Sequence, residues 1–211
     1  MTQQAIIRAE VQREERTLQI DLEINASKAN RARLNGNPTR SQRELLGAIQ
    51  IVYFSPEDLD LVRGEPGNRR DFLDRLLITR TPRLAGVIAD YERVVKQRNA
   101  LLKTRTSAAA LVPWNEQLIK LGAELTAERI ALVDVLNPWV AKNYANLNEV
   151  KPASISYKCS TEGVTKNIDD NIAALTARLE EVAYQEIERG VYLIGPHRDD
   201  LHLQIGDFQA K

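Results

Sequence analysis

Gly195-Pro196-His197-Arg198-Asp199-Asp200-Leu201-His202 brings two imidazoles, a guanidinium and two carboxylates into one short stretch. Three chemistries suit such a set. The order His-Arg-Asp is that of a protein-kinase catalytic loop, which needs an Asn five residues after the Asp. Gln204 stands there, and no Gly-rich phosphate loop accompanies it, so kinase chemistry is excluded. His197, Asp199, Asp200 and His202 are metal-ligand types, but on a strand Asp200 and His202 share one face while Asp199 points away. No second cluster completes a shell, so no metal is expected. In the third reading Gly-Pro ends a strand and delivers His197 and Arg198 to a surface turn facing DNA, a nucleotide or a partner.

A second concentration of charge runs from Arg63 to Arg105, with 11 basic and 5 acidic residues. Arg69, Arg70, Lys96, Arg98 and Lys103 are its candidate contacts. Such a patch binds duplex phosphates without reading sequence. The plainer alternative is a solvated helix face, paired with acids of neighbouring helices. Arg31 and Arg33 fall on one face of a short strand and add an electrostatic surface. Glu57 and Asp58 could be a general acid–base pair. Adjacent positions at a helix start point in different directions, so complementing the helix dipole is the more economical role.

What the chain lacks is as informative. Phosphate-loop hydrolysis needs Gly-x-x-x-x-Gly-Lys-Ser/Thr, and no such segment occurs. Gly36 and Gly64 lack the lysine and hydroxyl partners. No apolar strand ends in paired Asp for magnesium, and there is no Ser-x-Gly-Gln. The 29 basic and 29 acidic residues cancel, so no global field draws the chain to nucleic acid or membrane. Aromatics make up 5%, too few for stacking platforms on single strands. Cys159 is the sole cysteine, which excludes an internal disulfide and a cysteine zinc site and fits a reduced cytoplasm. The first residues read as no signal peptide, and no run nears the ~18 apolar residues of a membrane span. Apolar content of 43% and charged content of 27% fit a globular α+β chain.

The elements that must position these groups follow from periodicity. Ile6 to Val11 and Leu18 to Ile24 alternate, joined by the charged link Arg13-Glu14-Glu15-Arg16. With a third strand over Asn30 to Leu34 before the turn Asn35-Gly36-Asn37-Pro38, they predict an antiparallel meander with one wet face. Ser41 begins a short helix, and the apolar run Ile49 to Phe54 predicts a buried strand. Ser55 caps, and Pro56 opens, a short helix ending near Gly64. A second helix starts at Pro66. Thr81-Pro82 opens a long helix to about Lys103. Pro113 opens another, with a heptad seam through Trp114, Leu118, Leu121, Leu125, Leu132, Val135 and Trp139. A kink or break is expected at Leu136–Asn137, before Pro138. The two long helices predict an antiparallel hairpin arm. A strand over Ala153 to Cys159, a helix from Ile168 to Arg189 closed by Gly190, a buried strand over Val191 to Ile194 and a strand through Leu201, Leu203 and Ile205 complete the chain.

Tyr53-Phe54-Ser55-Pro56-Glu57-Asp58-Leu59 followed by Gly64-Glu65-Pro66-Gly67-Asn68-Arg69-Arg70-Asp71-Phe72-Leu73-Asp74 resembles the middle of the bacterial RecF recombination-repair proteins. Ala29-Asn30-Arg31-Ala32-Arg33-Leu34-Asn35-Gly36, the stretch Tyr91 to Leu102, and Gly195 to Leu201 agree with it in the same order. The resemblance implies part of an SMC-like ABC ATPase head. Residues 1–55 and 150–211 would form a partial β-rich lobe, and 56–149 a helical lobe with its arm. It implies ATP and magnesium as cofactors of the full-length family, with ATP-driven homodimerisation around double-stranded DNA. RecO and RecR would be its partners in loading RecA at single-strand gaps, in the cytoplasm. In such proteins the phosphate loop lies upstream of the matched region, and the signature and magnesium strand lie downstream. This chain is therefore expected to bind no cofactor and hydrolyse no ATP alone. Ser55, Pro56, Glu57 and Asp58 fall near the nucleotide-sensing lid loop, although its usual glutamine is missing. Arg31, Arg33, Arg69, Arg70, Lys96, Arg98, Lys103, His197 and Arg198 are the implied DNA-binding candidates. The competing reading is a stand-alone helical interaction module that docks a partner through the Trp114–Trp139 seam.

Overall fold

Alternation in the first 25 residues builds a hairpin in the computed structural model, which describes residues 3–13, 16–49, 51, 53–104, 107–147 and 151–210. Strands β1 (Gln4–Arg13) and β2 (Arg16–Asn25) pair antiparallel from Gln4↔Asn25 to Arg13↔Arg16. The expected turn residues Glu14 and Glu15 lie outside the described residues. β3 (Arg31–Leu34) pairs with β2, and β4 (Asn37–Pro38) with β3, giving the order β1-β2-β3-β4. Asn35 and Gly36, at φ 50° and 78°, make the tight turn between β3 and β4. Register puts Ile7, Leu22 and Ala32 in one row and Ala9, Ile20 and Leu34 in the next, all on one face. Ile20 and Ala32 are its buried members. The other face carries Arg8, Asp21 and Arg33 in one row and Ile6, Glu23 and Arg31 in another. The meander is as the sequence implies, but its apolar face is covered only around Ile20 and Ala32, with Ile7 and Ile24 50% and 43% exposed.

Contacts divide the chain into two units, residues 1–53 with 78–82, and residues 54–77 with 83–211. In the first, a 3₁₀ turn (Gln42–Leu45) follows β4, and the Arg40 N–H donates to Glu44 Oε1 at 3.1 Å. The buried strand expected over Ile49–Phe54 is not found. Ile49 makes one isolated bridge to Leu46, while Ile51, Tyr53 and Phe54 are 77%, 80% and 79% exposed. Gln50 and Val52 lie outside the described residues. A run this apolar, interrupted only by Gln50, suits a strand flanked on both sides, and no described strand pairs with it.

The second unit begins with a 3₁₀ turn (Pro56–Leu59) and the single-turn α1 (Asp60–Arg63), which stops at Gly64 as expected. α2 (Pro66–Arg80), whose last residues belong to the first unit, and α3 (Leu84–Lys103) begin close to their prolines. α4 runs over Ala108–Ala145. It starts before Pro113, and the break expected ahead of Pro138 does not occur. A proline forfeits one backbone hydrogen bond, and a long packed helix outweighs that loss. Arg83 pairs with Glu124 and Glu128, and Arg98 with Asn115, which fixes α3 and α4 as antiparallel. α5 (Ile168–Arg189) packs on both, between an Asn167 cap that accepts from the Asp169 and Asp170 N–H groups and Gly190 at φ 64°. β5 (Ala153–Lys158), β6 (Asp200–Ile205) and β7 (Phe208–Gln209) form a second antiparallel sheet, with β5 against α4.

Residues 191–194 are not a strand. Tyr192 and Ile194 are buried as expected, but side chains take the backbone donors. Tyr192 N–H goes to Asn99 Oδ1 at 2.7 Å, and Leu193 N–H to Glu186 Oε1 at 2.8 Å. Among the described residues no helix is long and apolar enough to cross a membrane.

The α4 seam is buried at Leu118, Leu125 and Leu132, then emerges at Val135 and Trp139. Leu118→Ala should cost about 2–5 kcal/mol. Trp139→Ala should stay within about 0.5 kcal/mol. Urea unfolding of the two variants checks this, and equal losses would mean the seam is buried along its whole length.

Candidate nucleic-acid interface and the Gly195–Asp200 turn

Gly195 sits at φ 96°, where a Cβ would lie 2.9 Å from the Tyr91 hydroxyl and 3.0 Å from that of Tyr192, so only glycine fits. The turn closes as Arg198 N–H donates to the Gly195 carbonyl at 2.8 Å. Three arginines from the helices then hold it. Arg129 on α4, 3% exposed, donates to the Pro196 carbonyl at 2.7 Å and makes a two-pronged pair with Asp74 at 2.8 Å. Arg69 on α2 forks onto both oxygens of Asp200 at 2.7 and 3.0 Å and reaches the Gly64 carbonyl. Arg70 donates to the Asp199 carbonyl at 2.9 Å. The Asp199 carboxylate accepts from Ser160 N–H at 2.7 Å and the Tyr157 hydroxyl at 2.9 Å.

Burial raises the Asp199 carboxyl above its usual range despite these donors. Burial also works against Asp200, but its bonds and charge contact with Arg69 prevail and hold it below the carboxylate range. His197 stacks on Tyr192 at 4.7 Å and shares a 2.9 Å hydrogen bond with the Tyr91 hydroxyl through Nδ1. Burial, then the Arg198 charge, brings its imidazole down to about 4. Cys159, just past β5, is half-buried, and burial followed by the Asp199 charge pushes its thiol up to about 12.

The candidate contacts separate into two kinds. Arg98, 2% exposed, donates to Glu186 Oε2 at 2.6 Å and Asn115 Oδ1 at 2.7 Å, and lies over the Tyr192 ring. Arg69, 9% exposed, is committed to Asp200. Neither is a surface cation, which corrects their expected place on a DNA-facing patch. Arg70 is half-buried on the turn. Lys96, Lys103 and Arg198 are exposed, although Arg198 also donates to the Tyr192 carbonyl at 2.9 Å. In the first unit Arg31 and Arg33 are exposed along a concavity of about 620 Å³ that also includes Arg8 and Arg40, with Asp21 and Glu23 directly across the strands. At Ser55–Asp58, Ser55 N–H donates to Asp58 Oδ2 at 2.7 Å. The Ser55 hydroxyl, and next its own backbone, lower the Glu57 carboxyl below its usual range. That is a helix cap with two exposed acids.

Sequence reasoning missed Arg129, Glu186 and the inward role of Arg98, yet a signal was present. Each falls on its helix's apolar stripe. Arg98 follows Leu84, Ile88, Tyr91 and Val94; Arg129 follows Leu118 and Leu125; Glu186 follows Leu175, Leu179 and Val182. A charge at such a position needs a buried partner.

No family model matches the chain. Its fold is shared with solved structures of one other protein. Solved structures of "the recombination mediator protein RecF" in the RecFOR pathway, described as RecF-ATPrS and RecF-ATP, superpose with TM-scores of 0.91 and 0.89 at 22% identity, over 99% of this chain and 57% of theirs. In sequence the chain is 45% identical over 220 residues to the DNA replication and repair protein RecF of Streptomyces avermitilis, over 99% of its own length. The chain matches part of a RecF protein in sequence and fold, and it spans 59% of the length of that relative.

Breaking the Arg98–Glu186 pair from one side, as in Glu186→Leu, should cost about 3–5 kcal/mol, and adding Arg98→Met should recover part of it. Denaturant titration of single and double variants reads this; additive losses would show the two charges to be uncoupled. His197 gives a pH test. Its folded pKa of about 4 lies below the ordinary 6.5, so between these values the unfolded chain binds more protons. Stability should therefore fall as pH drops from 6.5 towards 4, by up to about 3 kcal/mol from this group. Asp199, with its raised pKa, works in the opposite direction. Comparison with His197→Gln isolates the histidine, and parallel stability–pH curves for the two proteins would contradict the assignment.

Proposed function

We propose that the chain is the duplex-binding and helical part of an ATP-switched DNA clamp that acts in recombinational repair. One observation carries this, the 45% identity with a RecF protein along 99% of the chain. Duplex DNA is the ligand of this part, met through phosphates by the exposed cations Arg31 and Arg33 in the first unit and Lys96, Lys103 and Arg198 in the second, where Arg70 and His197 shape the turn that carries Arg198. ATP binding, magnesium, homodimerisation and cooperation with RecO and RecR in loading RecA belong to the whole protein, acting in the cytoplasm. The residues present do not fit a triphosphate. The cap at Ser55–Asp58 spends its backbone donor on Asp58 and exposes the Glu57 carboxylate. The sequence also contains no phosphate loop. The chain alone therefore hydrolyses no ATP.

A helical interaction module is the second reading, favoured by Val135 and Trp139, which stand 48% and 60% exposed where the α4 seam emerges. Fluorescence anisotropy with a labelled duplex separates the two. The clamp reading expects binding that weakens steeply with salt and is indifferent to sequence, loss of affinity in Arg31→Glu/Arg33→Glu, and no phosphate release from ATP. No duplex binding even at low salt would leave the interaction module.

A further inference from the structure

Asn35-Gly36 is the one Asn-Gly pair in the sequence. A side-chain amide followed by glycine sets an electrophile beside a nucleophile. The backbone nitrogen of Gly36 can attack Asn35 Cγ because glycine has no Cβ to hinder the approach. Asn37, by contrast, precedes Pro38, whose nitrogen has no proton to give up. Asn35 is exposed, so water reaches it, and nothing lies within 4 Å of where a Cβ on Gly36 would stand.

The chemistry balances with water alone. The bond from Gly36 N to Asn35 Cγ forms and the Cγ–Nδ2 bond breaks. The Gly36 N–H proton leaves with Nδ2 as ammonia, and a cyclic imide remains. Water then opens the imide. Cleavage at Cγ gives aspartate. Cleavage at the Asn35 main-chain carbonyl gives isoaspartate, with the main chain rerouted through the side chain.

The folded turn resists this reaction. Asn35 and Gly36 have φ 50° and 78°, the signs of a type I′ turn. In such a turn the Asn35 ψ is about 30°, which sets the Gly36 nitrogen roughly opposite Cβ across the Cα–C bond. Ring closure needs the two on the same side. The residue is also tied to β2. Asn35 Oδ1 accepts from Gln19 N–H at 2.9 Å, and Asn35 N–H donates to the Gln19 carbonyl at 2.8 Å. Closure therefore waits until the turn and both bonds open.

We propose that Asn35 is a modification site, converted to aspartate and isoaspartate through a cyclic imide with Gly36, and that the native turn is the lock that sets its rate. The proposal is independent of what the chain binds. The two products differ in effect. Aspartate keeps an oxygen for Gln19 N–H and adds a negative charge close to Arg33. Isoaspartate lengthens the main chain inside a two-residue turn, so the pairs Arg33↔Pro38 and Leu34↔Asn37 lose their register. Pro38 and Thr39 line the concavity that holds Arg31 and Arg33, and that wall is lost with β4.

The test ages the chain in mildly alkaline buffer, either folded or unfolded in urea. Peptide mass spectrometry then resolves both the change from amide to acid and the isoaspartate isomer. Asn35 should be the first asparagine converted in the unfolded chain. Gly36→Ala should suppress the conversion there, where folding plays no part. In the folded chain Asn35 should convert about tenfold to a hundredfold more slowly, the weight of two hydrogen bonds that must open. Urea below the unfolding transition should change that rate little, since a local opening exposes little surface. Earlier conversion at another asparagine overturns the site. Equal rates in the folded and unfolded chains overturn the lock, as does a folded rate that climbs with urea in step with global unfolding.

Discussion

Arg129 carries a charge at 3% exposure, and the second unit is arranged around its neutralisation. A guanidinium out of water is tolerable only if nearly every N–H finds an oxygen. Asp74 supplies two, Tyr157 one and the Pro196 carbonyl another. These acceptors come from α2, β5 and the turn before β6, so one side chain on α4 ties together elements far apart in sequence. Tyr157 passes the connection to Asp199, and Asp199 to Ser160. Arg69 and Arg98 repeat the device to either side, each joining a helix to a distant acid. The Gly195–Asp200 turn is therefore an acceptor-rich knot whose carbonyls and carboxylates face inward to arginines. Its chemical density in sequence reflects that structural role.

The same pairing takes charges of both signs inside together, so the outer surface stays near neutral and only the local distribution of its charges varies. Glu186 and Asp74 go inside with arginines, and Asp199 is held by a hydroxyl and a backbone N–H. The lysines lie outside, and Lys96 and Lys103 have no acidic partner within ion-pair distance among the described residues. Arginine's fork suits fixed buried acceptors, whereas a flexible ammonium suits a moving phosphate. On β2 and β3 the balance differs. Asp21 and Glu23 stand opposite Arg33 and Arg31, so that surface is a lattice of alternating sign.

Helix periodicity, proline and glycine punctuation and strand alternation were legible, because each depends on neighbours close in sequence. Gly64, Pro66 and Gly190 mark real boundaries, and α5 runs over Ile168–Arg189 as read. The failures lie where distant partners decide. Ile51, Tyr53 and Phe54 have strand-like residues without a described strand beside them. Residues 191–194 have the apolar pattern, but Asn99 and Glu186 take the bonds a sheet would need. The candidate site was legible as a list of cations. Which of them face outward was not, since Lys96 and Arg98 are two positions apart and look alike in composition. Only the apolar stripe through Val94 and Leu102 marks Arg98 as inward.

Cys159 has a consequence of another kind. A thiol raised to about 12 is almost wholly protonated at neutral pH, with a thiolate fraction on the order of 10⁻⁵. Both alkylation and peroxide oxidation need the thiolate, so the native side chain is a poor target for either. Local opening next to β5 would return the sulfur to water and release it from the Asp199 charge. Because the side chain is only half-buried, its low reactivity would come from the scarcity of thiolate rather than from want of access.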